Sequence, residues 1–118
     1  MDKLKDFEEM KVWQDAQTLA VSIDNDFHGI RDLSFCDQIK RTVVSISNNI
    51  SEGAERSTSA EFARFLDIAK GSTGEVRSMY QLAKRLDFIT PDICTQRSEQ
   101  CLEISKQLAG FAKYLRNK

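Results

Sequence analysis

The sequence predicts an all-α fold, a single antiparallel up-down-up-down four-helix bundle over residues 1–118. Three observations predict it. Apolar residues recur at three- and four-residue intervals in four segments, near 7–27, 35–56, 60–87 and 92–116. The breaks between these segments are short, which makes successive helices antiparallel neighbours. The chain has one proline, five glycines and 30% charged residues, and no segment alternates with the period of two that a strand needs.

Helix one runs from about Phe7 to Phe27. Trp13, Ala16, Ala20, Ile23 and Phe27 share one face, while Asp6, Glu8 and Glu9 lie where the helix dipole favours negative charge. Trp13 belongs in the core or an interface rather than on a nucleobase. Gly29 ends the helix. Ser34 is the candidate cap of helix two, with Asp37 three residues later imitating a capping box. Phe35, Ile39, Val43, Ile46 and Ile50 form its stripe; Val44, Ser45, Ser47 and Ser51 broaden it with small groups that let neighbouring helices approach.

Ser57-Thr58-Ser59 is a break, and Thr58 or Ser59 caps helix three. Phe62, Phe65, Leu66, Ala69, Val76, Tyr80, Ala83 and Leu86 are its apolar positions. Gly71 and Gly74 interrupt it at roughly 1 kcal/mol each relative to alanine, so close packing or a kink is expected there. Thr90-Pro91-Asp92 is the clearest boundary, because Thr90 caps and proline suits the first helical position. Helix four carries Cys101, Ile104, Leu108, Phe111 and Leu115 toward the core.

A chain of this length buries one core. Its apolar runs are too short to span a membrane, and the start, Met1-Asp2-Lys3-Leu4-Lys5-Asp6, has no signal core, so a cytoplasmic location is expected. Cys36, Cys94 and Cys101 lack CxxC spacing and read as buried small hydrophobes. His28 is the sole histidine and falls in a connection. It leaves no Glu-x-x-His pairs for a di-iron centre, no zinc ligand set and no Arg upstream for a helical ribonuclease motif. No phosphate-binding glycine loop or nucleophile elbow is present. The expectation is a non-enzyme without metal or cofactor. Glu52 and Glu75 are either paired carboxylates or partners of Arg41, Arg56, Arg77 and Asn49 in interhelical polar contacts; the second is the ordinary use.

Net charge is −1, but its distribution is polar. Residues 1–27 hold 3 basic and 7 acidic groups, and residues 91–118 hold 5 and 3. Such asymmetry serves partner binding or head-to-tail self-association. Lys70, Arg77 and Lys84 recur every seven residues on helix three, with Arg85 beside the last. Together with Lys106, Lys113 and Arg116 they form a candidate phosphate-binding ridge. Read as an ordinary solvated face, the ridge is neutralised by acids such as Asp67, Glu99 and Glu103.

One further pattern spans nearly the whole chain: Phe7, Val12-Trp13-Gln14, Ala16, Gln38-Ile39, Arg41, Ser45-Ile46, Asn49-Ile50, Glu52-Gly53, Arg56, Glu61-Phe62, Arg64-Phe65-Leu66, Ile68-Ala69, Gly71-Ser72 and Glu75. In this order they resemble the four-helix bundle proteins encoded in 23S ribosomal RNA intervening sequences. The accessory protein of diversity-generating retroelements is similar to the same family. Thr42, Ser47-Asn48 and Ser51 depart from the family's usual residues. Gln38, Arg41, Asn49, Glu52, Gly53, Arg56, Gly71 and Glu75 are the motif positions. The resemblance implies a cytoplasmic, ring-like homopentamer without known catalytic activity. In the retroelement branch it implies nucleic-acid and reverse-transcriptase binding through a basic surface. The expected function is therefore a non-enzymatic oligomeric bundle contacting RNA or an RNA-associated partner; the alternative is a structural or protein-interaction module with no nucleic-acid role.

Overall fold

The first N–H groups of a helix lack partners within it, so helices begin where a side chain supplies one. Three such starts organise this molecule, whose computed structural model describes residues 6–118. The helices are α1 (Lys11–Asp26), α2 (Leu33–Ala54), α3 (Ser59–Arg85) and α4 (Pro91–Arg116). Thr58 accepts from the Glu61 N–H at 3.1 Å and Thr90 from the Ile93 N–H at 3.2 Å, with Pro91 in the first turn. Residues 1–5, part of the start that reads as having no signal core, lie outside the described residues.

Two starts differ from the sequence reading. Asp32, not Ser34, caps α2 and accepts from the Phe35 N–H at 3.0 Å; Ser34 sits inside the first turn. Helix one does not begin at Phe7. A short 3-10 turn, Phe7–Glu9, is followed by extended Met10 before α1 opens. In one continuous helix Phe7 and Trp13 would stand about 120° apart. The break at Met10 lets their rings meet edge-on at 5.4 Å. At the other end, Gly29 takes a left-handed φ of +85°, as its position predicts. The α3–α4 connection turns on Asp87 at φ 61°, which allows Asp87 N–H to bond Lys84 O and Phe88 N–H to bond Ala83 O.

Successive helices pack on one another and α4 closes against α1, in a rod of 46 × 19 × 19 Å. The core runs down its axis through Ile23, Ile39, Ile46, Ile50, Leu66, Val76, Ile104 and Leu108. The stripe of α1 is rotated from the predicted one: Val12 and Leu19 are buried, whereas Trp13 and Ala20 are half-buried. Val44 and Leu86 are exposed. The three cysteines are buried and free.

The glycine reading is corrected. α3 runs unbroken through Gly71 and Gly74, and a methyl added at either meets nothing within 4 Å. Close approach is instead the role of Gly53 on α2. A Cβ there would lie 2.7 Å from Phe65 Cβ, 2.8 Å from Phe62 Cδ1 and 3.2 Å from the Phe62 carbonyl. The small groups of α2 extend the seam, with Ser45 and Ser72 hydroxyls 2.6 Å apart.

Candidate nucleic-acid interface

A seven-residue step on an α-helix advances about 10.5 Å and falls about 20° short of two turns. Lys70, Arg77 and Lys84 therefore form a nearly straight row on α3. The row borders α4. Lys70 shares a groove of about 440 Å³ with Asp67 from α3 and with Ala109, Ala112, Lys113 and Arg116 from α4. Farther along, Arg77 lies close enough to Cys101 on α4 to favour its thiolate; burial nevertheless pushes that thiol up to about 12. The next turn is joined to α4 by Gln81, which donates to Ser98 at 3.3 Å. Lys84 ends the row half-buried.

Not all the predicted basic residues converge. Arg116 spends its guanidinium on Asp67, donating to both carboxylate oxygens. That hydrogen bond holds the Asp67 carboxyl below its ordinary value and raises Arg116. Lys106 lines a different groove, between α1 and α4, with Met10, Lys11, Val12 and Phe111. Arg85 follows Lys84 by one residue, about 100° around the helix, and is exposed. Of the acids expected to neutralise the ridge, only Asp67 lines its groove; Glu99 and Glu103 line a hollow on the α1–α4 side with Asp15 and Arg97. The residues brought together are Lys70 and Lys113, with Arg77 and Lys84 continuing the row along α3.

The motif positions occupy another side. Gly53 is buried and Asn49 half-buried; Gln38, Arg41, Glu52, Arg56, Gly71 and Glu75 are exposed. Glu52 and Glu75 do not bridge helices. Glu52 pairs with Arg56 one turn along α2 at 3.1 Å, and the Asn49 amide donates to Ser45 O at 2.7 Å in the same helix. Only Arg56 reaches across, standing 4.8 Å over the Phe65 ring of α3. The correction is geometric: four-residue spacing satisfies Glu52, Arg56 and Asn49 along α2 before a neighbour can, and Glu75 stands exposed on α3. Beside them α3 exposes Ile68, Leu82 and Leu86.

The strong interhelical polar contact lies elsewhere, on residues that sequence reasoning missed. Asp26 at the end of α1 accepts from Tyr80 Oη at 2.6 Å, from Arg97 Nε at 2.7 Å and from a second Arg97 nitrogen at 3.1 Å. Burial and the adjacent carboxylate push the Tyr80 hydroxyl far above the phenol range. A tyrosine in a buried stripe needs a hydroxyl partner, and that was the available signal.

His28 is exposed in its connection, and among the described residues no three His, Cys, Asp or Glu side chains gather to hold a metal. Nor is any described helix long and apolar enough to cross a membrane. The model of the 23S rRNA-intervening sequence protein family matches residues 8–110. The chain belongs to that family. This intervening sequence protein is also similar to a crystal structure from Bacteroides thetaiotaomicron VPI-5482, a protein of unknown function from the S23 ribosomal protein family. The two share 26% identity with a TM-score of 0.81, over 86% of this chain and 98% of the other. None of the curated proteins matches the chain.

Proposed function

We propose that this intervening sequence protein is a cytoplasmic, non-enzymatic, homo-oligomeric bundle that contacts RNA or an RNA-associated partner, such as a reverse transcriptase. The observation that carries the reading is the basic edge of α3 beside α4, where Lys70 and Lys113 line one groove whose acid, Asp67, is already paired with Arg116, and Arg77 and Lys84 continue the row along α3. A net charge of −1 gives one chain little long-range attraction for phosphate. Repeating the groove around a ring of copies multiplies it, which is why assembly and binding belong together in this reading.

The test combines mass and affinity. Light scattering at high protein concentration should give a multiple of the 13.5 kDa chain, the pentamer being the expected size. A labelled RNA should bind in low salt and be released as salt rises. Replacing Lys70, Arg77 and Lys84 together by Glu should abolish binding and leave the mass unchanged. A strictly monomeric mass, or RNA affinity indifferent to the triple reversal, sinks the proposal.

A second reading has its own observation. Ile68, Leu82 and Leu86 are 44%, 48% and 45% exposed on α3, beside the motif face of α2. They support a protein-interaction module with no nucleic-acid role. Under it, the triple reversal changes nothing and Ile68→Asp with Leu82→Asp dissociates the partner or the assembly.

A further inference from the structure

We propose that the α3–α4 groove takes the sugar-phosphate backbone of a nucleic-acid duplex rather than a single strand; this rests on the nucleic-acid reading above and names its substrate class. The first ground is what surrounds the cations. The residues lining the groove around Lys70 and Lys113 include no aromatic side chain. Single-strand sites stack unpaired bases on aromatic rings, which supplies much of their affinity. Tyr114 is the one aromatic among the large exposed hydrophobics, at 57% exposure. It follows Lys113 by one residue, hence about 100° around α4. There it packs near Phe111, with Lys118 over its ring. A base held in the groove between Lys70 and Lys113 would have no aromatic lining to stack on. In a duplex the bases stack on each other and offer only phosphate and shape to such a surface.

The second ground is the geometry of the charges. Lys70 to Lys84 spans about 21 Å on one unbroken helix, a straight and rigid row. A flexible strand would lose its freedom to follow it, whereas a duplex is already straight over that length. The third ground is charge density. A duplex carries a denser condensed counterion layer, and each phosphate neutralised releases about 0.9 counterion against about 0.7 for a single strand. For a chain of near-neutral total charge, four cations gain most against the denser polyanion.

The shared chemistry, a double row of phosphates, is offered by RNA and DNA alike, so the test carries both. Fluorescence anisotropy with the full chain compares a duplex RNA of about 12 base pairs, the same sequence as duplex DNA, and an oligouridine strand of equal length, across a salt series. The expected result is at least tenfold tighter binding of a duplex than of oligouridine, with a salt slope near −3.6 for four phosphate contacts. Lys70→Gln with Arg77→Gln should roughly halve that slope, and Tyr114→Ala should leave all affinities unchanged. Both substitutions fall on exposed side chains, and circular dichroism checks that the variants stay folded. Tighter binding of duplex RNA or of duplex DNA identifies the source, and either supports the proposal. Equal or tighter binding of oligouridine, or its loss on Tyr114→Ala, overturns the duplex assignment and leaves the nucleic-acid reading standing. Binding to none of the three removes both.

Discussion

Gly53→Ala is the substitution that most directly tests the packing of α2 on α3. The new methyl would begin 2.7 Å from Phe65 Cβ and 3.2 Å from the Phe62 carbonyl. Neither atom is the free end of a side chain, so neither can swing aside. Relief requires the two helices to separate locally by about 0.7 Å, loosening the layer that holds Phe62 and Ile50. Overpacking of this kind costs about 1–3 kcal/mol. Alanine returns at most about 1 kcal/mol in helix propensity, and less in the last turn of α2. The expected net loss is about 1–2 kcal/mol, a fall of about 4–10 °C in Tm for a chain of this size. The contrast lies two turns away. Gly71→Ala and Gly74→Ala add a methyl to open space in mid-helix and should each raise stability by up to about 1 kcal/mol. Thermal melts of the three variants at one protein concentration decide the matter. If Gly53→Ala melts at or above the wild type, the close α2–α3 crossing is not real and the reasoning fails.

Other expectations follow from the polar contacts. Asp26→Ala removes the carboxylate from the Tyr80 hydroxyl and from the Arg97 guanidinium, which keeps its bond to Gln100, in a largely buried place, so urea titration should register a loss of about 3 kcal/mol; a loss under about 1 kcal/mol would mean that the cluster is solvated. The Asp67 carboxyl is depressed by its hydrogen bond from Arg116, so its stabilising contribution is present above the unfolded carboxylate value of 3.8 and is lost as pH falls below it. Asp67→Asn should therefore melt lower than the wild type near neutral pH, with the gap narrowing as pH falls below 3.8 and through the depressed folded value; a gap that widens in acid contradicts the assigned sign. Buried thiols, with Cys101 raised to about 12, should resist an aromatic disulfide reagent in the native state and all three should react after unfolding. Rapid labelling of one native thiol would contradict the burial.

Helix identity was legible wherever local chemistry acts alone. Thr90-Pro91 places the start of α4 because cap and proline need only their own turn. The start of α2 was less legible. Asp32 and Ser34 are equally good acceptors, and Leu33, 71% exposed, gives no apolar signal to separate them. Glycines could not be sorted from sequence, because Gly53 and Gly71 differ only in what the neighbouring helix presents to them. The same limit governs the site. Heptad spacing found the row of Lys70, Arg77 and Lys84, a property of one helix. Which residues of α4 lie beside it depends on the α3–α4 pairing, so Lys113, which lines the Lys70 groove, and Lys106, which lines another, were not separable from sequence. Asp26, Tyr80 and Arg97 come from three helices, and no spacing rule links them.

That cluster also sets an order of disassembly. α3 packs extensively on both α2 and α4, whereas α1 leans on α2 and touches α4 sparingly. Asp26 acts as a rivet at the C-terminal end of α1, fastening it to α3 and α4 together. Toward the other end, α1 meets α4 through Val12 and through the Gln107 amide bonded to Asp15 at 2.8 Å, on a partly exposed surface. Thermal opening should therefore peel α1 from its N-terminal end while α2, α3 and α4 persist as one cooperative unit. The amides of the first turns of α1 should exchange with solvent well before those near Ile23, and unfastening the rivet should erase the gradient, releasing the whole helix in one step.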